Sequence, residues 1–157
     1  MLQLMYDSVM PTNIPLDAGI VAGYADGIYR WSVGDWRRFP LAKKVAIFTS
    51  ASNYDYSEVA FDAFVLDIEH GDAVAKQAPS WVENQRRRGR TGRIWTYTSL
   101  DNRDAVSQAF KQDKIQPAYQ WVAWYNNIGW LNDVPGAIAK QFIGSMGGFD
   151  LSVVNWP

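Results

Sequence analysis

Eight short apolar runs are spread along 157 residues, several of them separated by stretches with helical periodicity. That spacing constrains the fold more than any other feature. Strands alternating with helical patterns argue for parallel βαβ units, and eight of them argue for a closed barrel. A complete (β/α)8 barrel takes about 250 residues and at least roughly 200. This chain is too short for eight helices. The predicted fold is α/β, a TIM-like eight-stranded barrel whose last strands have lost their helices, forming a single domain over 1–157.

The predicted strands are Leu2–Val9, Ile20–Tyr24, Lys44–Phe48, Ala63–Glu69, Ile94–Thr98, Tyr119–Tyr125, Ala137–Ile143 and Phe149–Val154. A short helix is expected over Ser32–Phe39, with Ser32 as N-cap, Asp35 in the first turn and Pro40 as its stop. Asp72 is expected to cap a helical segment running to Arg88, broken or kinked at Pro79 and ended by Gly89. Asp101–Lys114 reads as an amphipathic helix with Ala105, Val106, Ala109 and Phe110 on one face. The last three strands are joined only by loops rich in Gly, Pro and Asn.

Composition narrows the function. Fifteen basic against sixteen acidic side chains leave a formal charge of −1, which removes the general electrostatic case for a nucleic-acid partner. No apolar run approaches the ~20 residues of a membrane span. Met1–Asp7 lacks the basic start and apolar stretch of a signal peptide, so the expectation is a protein made in the cytoplasm. Without cysteine there is no thiol chemistry, thiolate metal site or disulfide framework. Two biases stand out: aromatics make up 15% of the chain, and the acids comprise 13 Asp but only 3 Glu, at positions 58, 69 and 83.

The chemistry concentrates in Phe61-Asp62-Ala63-Phe64-Val65-Leu66-Asp67-Ile68-Glu69-His70-Gly71. Here an apolar strand ends in two carboxylates spaced i, i+2. On a strand, Asp67 and Glu69 share one face with Val65, their Cα atoms about 6.6 Å apart at ~3.3 Å per residue, while Leu66 and Ile68 face the other way. In a parallel barrel the active site is built at the C-terminal ends of the strands. A desolvated carboxyl beside a second one stays protonated near neutral pH, and glycoside hydrolysis needs such a pair. The alternatives are that Asp67 and Glu69 cap the following helix or pair with an arginine such as Arg30. Asp7, near the end of the first strand, is placed to face the same mouth; otherwise it is a turn residue bonded to its own backbone. Trp121, Ala123 and Tyr125 share one strand face, Tyr97 ends the fifth strand, and Gln141 lies on the seventh. Aromatic faces with polar tips suit a sugar ring.

In order and spacing these motifs resemble glycoside hydrolase family 25, the muramidases. The strand carrying Asp7 is similar to that family's opening strand, and Leu66-Asp67-Ile68-Glu69 to its Asp-x-Glu strand end. Trp95-Thr96-Tyr97-Thr98 resembles its fifth strand, and Trp121-Val122-Ala123-Trp124-Tyr125 its Trp-x-Ala-x-Tyr strand. Ala139-Lys140-Gln141-Phe142 with Gly148-Phe149-Asp150-Leu151-Ser152 resembles its closing region. The resemblance implies a flattened barrel, roughly (β/α)5β3, and hydrolysis of the β-1,4 bond between N-acetylmuramic acid and N-acetylglucosamine. Glu69 would be the proton donor, Asp67 its partner at the acetamido group or the developing charge, and Asp7 a cleft support. Tyr97, Trp121, Tyr125, Gln141 and Asp150 would bind substrate. The implied partner is peptidoglycan or a related amino-sugar polymer, with no metal and no cofactor, acting at the cell wall as a lysin or virion-associated protein.

There are departures from the family. Tyr6-Asp7-Ser8-Val9 stands where Gly-Ile-Asp-Val-Ser is usual, Phe142 stands where Tyr is common, and the chain is short in the loops that build cleft walls. The rival expectation is an inert glycan-binding or structural module of a phage particle or cell-wall assembly. Arg86-Arg87-Arg88-Gly89-Arg90, with Arg93, is read as cations at a helix C-terminus meeting its dipole, the alternative being contact with an anionic polymer. His70 has no Cys or His partners; a carboxylate site with Asp67 and Glu69 is the remaining metal option. Thr49–Asp62, with Tyr54 and Tyr56, is expected as a long polar loop at the mouth, gating substrate or replacing a lost helix.

Overall fold

The computed structural model describes residues 1–53, 56, 58–90 and 93–157. Eight strands close into a barrel in chain order. They are β1 (Gln3–Asp7), β2 (Ile20–Tyr24), β3 (Lys43–Phe48), β4 (Ala63–Ile68), β5 (Ile94–Ser99), β6 (Tyr119–Ala123), β7 (Ala139–Met146) and β8 (Phe149–Val154). Strands β1 to β7 pair in parallel, and β8 runs antiparallel between β7 and β1. Among the described residues three α-helices, α1 (Val33–Arg37), α2 (Ala78–Arg87) and α3 (Arg103–Asp113), cover the outside, all of them before β6. The result is a TIM-like barrel with a reduced helix complement, as the length arithmetic required.

Period-2 alternation divides the side chains into two layers. Met5, Ala22, Val45, Val65, Trp95 and Trp121 fill the barrel, while Val21, Ala46, Phe48, Leu66 and Ile68 pack outward against the helices. Trp156 plugs the lower end: its ring meets Trp95 edge-on at 5.4 Å, and the Lys43 ammonium lies 4.4 Å above it.

Local chemistry explains most boundaries. Ser32 and Asp35 form a reciprocal capping box at α1. Asp72 does not cap the next helix. A 3-10 turn spans Ala75–Gln77, and α2 starts at Ala78 with Pro79 in its first turn, where a missing N–H costs nothing. Pro79 therefore begins a helix rather than breaking one. Strand β6 stops at Ala123, two residues before the expected end: Trp124 N–H makes the last ladder bond, to the Gln141 carbonyl, and the chain then turns, with Asn126 N–H on the Trp124 carbonyl. Strand β7 runs on to Met146 through two register shifts, then reverses at Gly147 and Gly148, both at positive φ as a two-residue hairpin turn demands.

The loop from 124 to 138 stands where a helix would. Lys140, fully buried on the outer face of β7, holds it by donating to the Ile128 carbonyl (2.9 Å) and Asp133 (2.5 Å), with the Trp124 ring 4.7 Å away. Residues of the 49–62 loop likewise serve the outer layer: the Tyr56 hydroxyl donates to the Trp31 carbonyl, and the Asn53 carbonyl accepts from the Trp81 indole. That part of the loop replaces a helix; Tyr54 lies outside the described residues. The basic cluster also has local partners. Arg86 and Arg87 close α2, Arg86 donates to the Pro117 carbonyl, Arg90 lies over Phe64, and Arg93 pairs with Asp62.

Candidate active site

Each strand of a parallel barrel delivers its last inward side chain to one end, and here that end changes character within one period-2 step. Met5 is followed on its face by Asp7, Ala22 by Tyr24, Val65 by Asp67, Trp95 by Tyr97 and Ala139 by Gln141. Asp150 joins them because antiparallel β8 starts at this end, in register with Asp7. Glu69 follows directly on β4 at the solvent edge. The Ile68 carbonyl before it accepts from Thr98 Oγ1 (3.1 Å) and Asn102 Nδ2 (3.3 Å), which fixes the backbone from which Glu69 departs.

A hydrogen-bonded chain lines one wall. The Tyr97 hydroxyl donates to Gln141 Oε1 (2.5 Å), and Gln141 Nε2 donates to Asp150 Oδ2 (2.6 Å). Ser145 N–H donates to the other Asp150 oxygen. Tyr125, beyond the end of β6, brings its hydroxyl within 3.4 Å of that of Tyr97. Trp121 lies one layer down, 1% exposed, with its ring edge-on to Tyr97 at 4.6 Å and its indole N–H on Ser152 Oγ. It supports Tyr97 from below rather than facing solvent.

The acids depend on one another. Burial, followed by the charges of Glu69, Asp72, Asp7 and Asp26, pushes the Asp67 carboxyl up to about 8. Burial, then Asp150 and Glu69, raises Asp7 well above the usual carboxylate range. Glu69 is raised by burial, Asp72 and Asp150, with the polar hydroxyl of Tyr97 opposing the rise. Asp7 Oδ2 and Asp67 Oδ1 are buried with no hydrogen-bond partner in the protein. Such oxygens are costly unless protonated or met by a ligand. Arg30 takes no part; it pairs with Glu58 and lies over Tyr56. Neither Asp67 nor Glu69 caps a helix, since the turn after β4 is closed by the Gln77 side chain on Val74 N–H.

Asp7, Asp67, Glu69, Tyr97, Gln141 and Asp150 are thus brought to one end of the barrel, with Tyr125 at its rim. Two contributors were missed in the sequence. Tyr24 ends β2 on the inward face, and extending the Ile20–Ala22 alternation by one step would have found it. Asp72 acts on both Asp67 and Glu69 from the loop after β4, a position without a periodic signal. Beside Glu69 a cavity of about 550 Å³ opens between the ends of β4 and β5, lined in part by His70, Ser99 and Asn102. Among the described residues no group of three or more His, Asp or Glu side chains is placed to hold a metal ion, and no helix is long and apolar enough to cross a membrane.

No family model matches this sequence, and no curated protein matches it. Among solved structures the chain is similar to the spore cortex lytic enzyme SleM of Clostridium perfringens. The TM-score is 0.57 at 11% identity, covering 99% of this chain and 68% of that one. The likeness is one of fold. It extends over nearly the whole barrel, including the strands that lack helices.

Proposed function

We propose that this protein is a glycoside hydrolase acting on bacterial peptidoglycan, a short and divergent relative of family 25, cleaving the β-1,4 bond between N-acetylmuramic acid and N-acetylglucosamine. The observation that carries this reading is the pairing of a buried carboxyl, Asp67, held protonated up to about 8, with a solvent-edge carboxyl, Glu69, one period-2 step further on. Carboxyls in contrasting environments at one mouth are what acid-assisted glycoside cleavage requires. The fold likeness to a spore cortex lytic enzyme agrees with this substrate class.

In this reading Glu69, raised by burial and by Asp72, gives its proton to the glycosidic oxygen as the bond to the anomeric carbon breaks. Positive charge then develops on the sugar, facing Asp67. In its protonated state Asp67 can donate a hydrogen bond to the acetamido carbonyl and orient that group. A water completes the reaction, adding its oxygen to the anomeric carbon and returning a proton to Glu69. Asp7, raised well above the usual carboxylate range by burial and in register with Asp150 on the neighbouring strand, supports the cleft beneath the sugar as a neutral carboxyl. Tyr97, Gln141 and Asp150 offer hydroxyl, amide and carboxylate groups to the ring hydroxyls.

The decisive experiment is clearing of a cell-wall suspension. Wild type is expected to clear it and Glu69→Gln to leave it turbid while still sedimenting with the wall. Equal clearing by both removes Glu69 as the acid. Binding without clearing by either form would make the protein a glycan-binding module on the same barrel.

A further inference from the structure

The cavity of about 550 Å³ beside Glu69 has no part in the chemistry assigned to the mouth. Its size lies within the range of small-ligand sites, roughly 300–1,000 Å³. Ile68 and Ala73, which belong to the outer layer of the barrel, line it, as does Ala75 in the 3-10 turn before α2. Tyr97 belongs to the inner layer. The cavity therefore lies outside the ring of strands, where the chain leaves β4 and β5 for α2 and α3. Of the residues gathered at the mouth, Glu69 alone also lines the cavity. A ligand reaching from the acid cluster into the cavity must cross Glu69.

Two polar side chains in its wall are oriented by the backbone. Asn102 Nδ2 donates to the Ile68 carbonyl (3.3 Å) and to Thr98 Oγ1 (3.1 Å). A carbonyl can only accept, so the Asn102 amide cannot be turned round. Its Oδ1 has no partner among the described residues and is the acceptor that Asn102 offers to the cavity. Ser99 Oγ accepts from Asn102 N–H (3.4 Å), and its own proton is used by no bond among the described residues. His70, exposed, lines the same space with no hydrogen bond or ion pair among the described residues.

An acceptor and a donor beside small apolar side chains match a secondary amide that ends in a methyl group. The amide N–H meets Asn102 Oδ1, its carbonyl meets the Ser99 hydroxyl, and the methyl rests among Ala73, Val74 and Ala75. Val74 is half-exposed, and Gln77 holds its N–H (2.9 Å), so this apolar edge is formed before a ligand arrives. Among the described residues no Lys or Arg lines the cavity, and the charge of Asp72 acts on Glu69 beside it. A peptide bearing carboxylates is repelled there, and a neutral acetamido group is not.

We propose that this cavity binds the acetamido group of the sugar on the leaving side of the cleaved bond, so that a glycan crosses from the acid cluster over Glu69 and outward between the ends of β4 and β5. The inference rests on the reading of the mouth as a glycan-cleaving site, and it deepens that reading by placing the departing N-acetylglucosamine. The sugar whose anomeric bond breaks lies inward of Glu69, over Asp67. The glycosidic oxygen takes the Glu69 proton and leaves as a hydroxyl of the outer sugar.

The test is an NMR titration of the full chain with three small probes: methyl N-acetyl-β-glucosaminide, methyl β-glucoside and an alanyl-γ-glutamyl dipeptide. The glucosaminide is expected to shift the backbone signals of Val74, Ala75 and Ser99, and the glucoside to bind about fivefold to tenfold more weakly. Ser99→Ala should weaken the glucosaminide by a similar factor and leave the glucoside unchanged, a difference that a merely structural role would not produce. That variant should fold, because Asn102 N–H keeps the Ser99 carbonyl as partner. Ala75→Leu, which fills the cavity, should remove binding of both sugars. Equal binding of the two sugars, shifts confined to residues away from the cavity, no binding of the glucosaminide, or preference for the dipeptide overturns the inference. If the protein clears cell walls and these shifts are absent, hydrolysis stands and the cavity has no share in it. If the shifts appear and no form clears walls, the cavity stands as an acetamido site and the cleavage reading fails.

Discussion

The lower and upper halves of the barrel interior are built from the same strands and the same faces, yet they obey opposite rules. Below, Met5, Val65, Trp95 and Ala139 exclude water and are sealed by Trp156. One step above each of them stand Asp7, Asp67, Tyr97 and Gln141. The lower layer gains from burial, roughly 25 cal/mol per Å² of apolar surface. The upper layer loses by it, since burial is the leading cause of the raised Asp7 and Asp67 carboxyls. A step of two residues thus separates the part of the barrel that holds the fold from the part that strains against it.

The sharpest way to break this division is from below. Trp95→Ala should cost about 3–5 kcal/mol, with loss of most of the folded population in a denaturant titration. A small effect there would mean that the lower layer is not what holds the barrel. From above, Glu69→Gln should lower wall hydrolysis about a thousandfold with an unchanged Tm. A drop in Tm of several degrees would show that this residue belongs to the fold.

The third case is Asp67→Asn, where the sign matters. Asp67 binds its proton more tightly folded than unfolded. Its contribution is therefore complete below the ordinary carboxylate range and is lost as pH rises through about 8. Wild type should lose stability progressively across that window. Asp67→Asn should be flatter and more stable at its upper end, by something on the order of 2 kcal/mol, while activity falls. Parallel pH profiles of the two proteins would contradict the assigned direction. Smallest is Tyr97→Phe. It removes the hydroxyl that bonds Gln141, so stability should change by about 1 kcal/mol and hydrolysis by about tenfold. A thousandfold loss would promote Tyr97 from the wall of the site to its chemistry.

How much of this was legible in the sequence follows from the physics of each segment. Strands β2 and β8 match their predicted limits because turn residues bracket them, and the Ser32 cap is a local device that needs no tertiary context. The Asp67–Glu69 spacing was readable because strand periodicity fixes which side chains share a face. Closure of the barrel then brought Asp7 and Asp150 beside them, and only pairing across the sheet decides that. Lys140 was not legible. A lysine in an apolar run gives no sign that its ammonium ends beneath a loop, bonded to Ile128 and Asp133. Nor was the end of β6 at Ala123, since the apolar pattern runs on through Tyr125 while the chain turns where Asn126 N–H meets the Trp124 carbonyl. The role of Trp156 is equally non-local, because it plugs a space that exists only once all eight strands are closed.

That closure has a kinetic side. Gln3 pairs with Val154 and Asp7 with Asp150, so the seam of the barrel joins the first strand synthesised to the last. Until β8 is made, β1 has only β2 as a neighbour and the sheet has two open edges. Pairings this distant in sequence pay their loop-closure entropy before any contact rewards it, which makes them slow. Ser8 Oγ and Asn13 Nδ2, both donating to the Gly148 carbonyl, clasp the β7–β8 hairpin to the first loop. On a growing chain that clasp has nothing to hold, and the final zipping of the seam is the step that turns a sticky open sheet into a finished vessel.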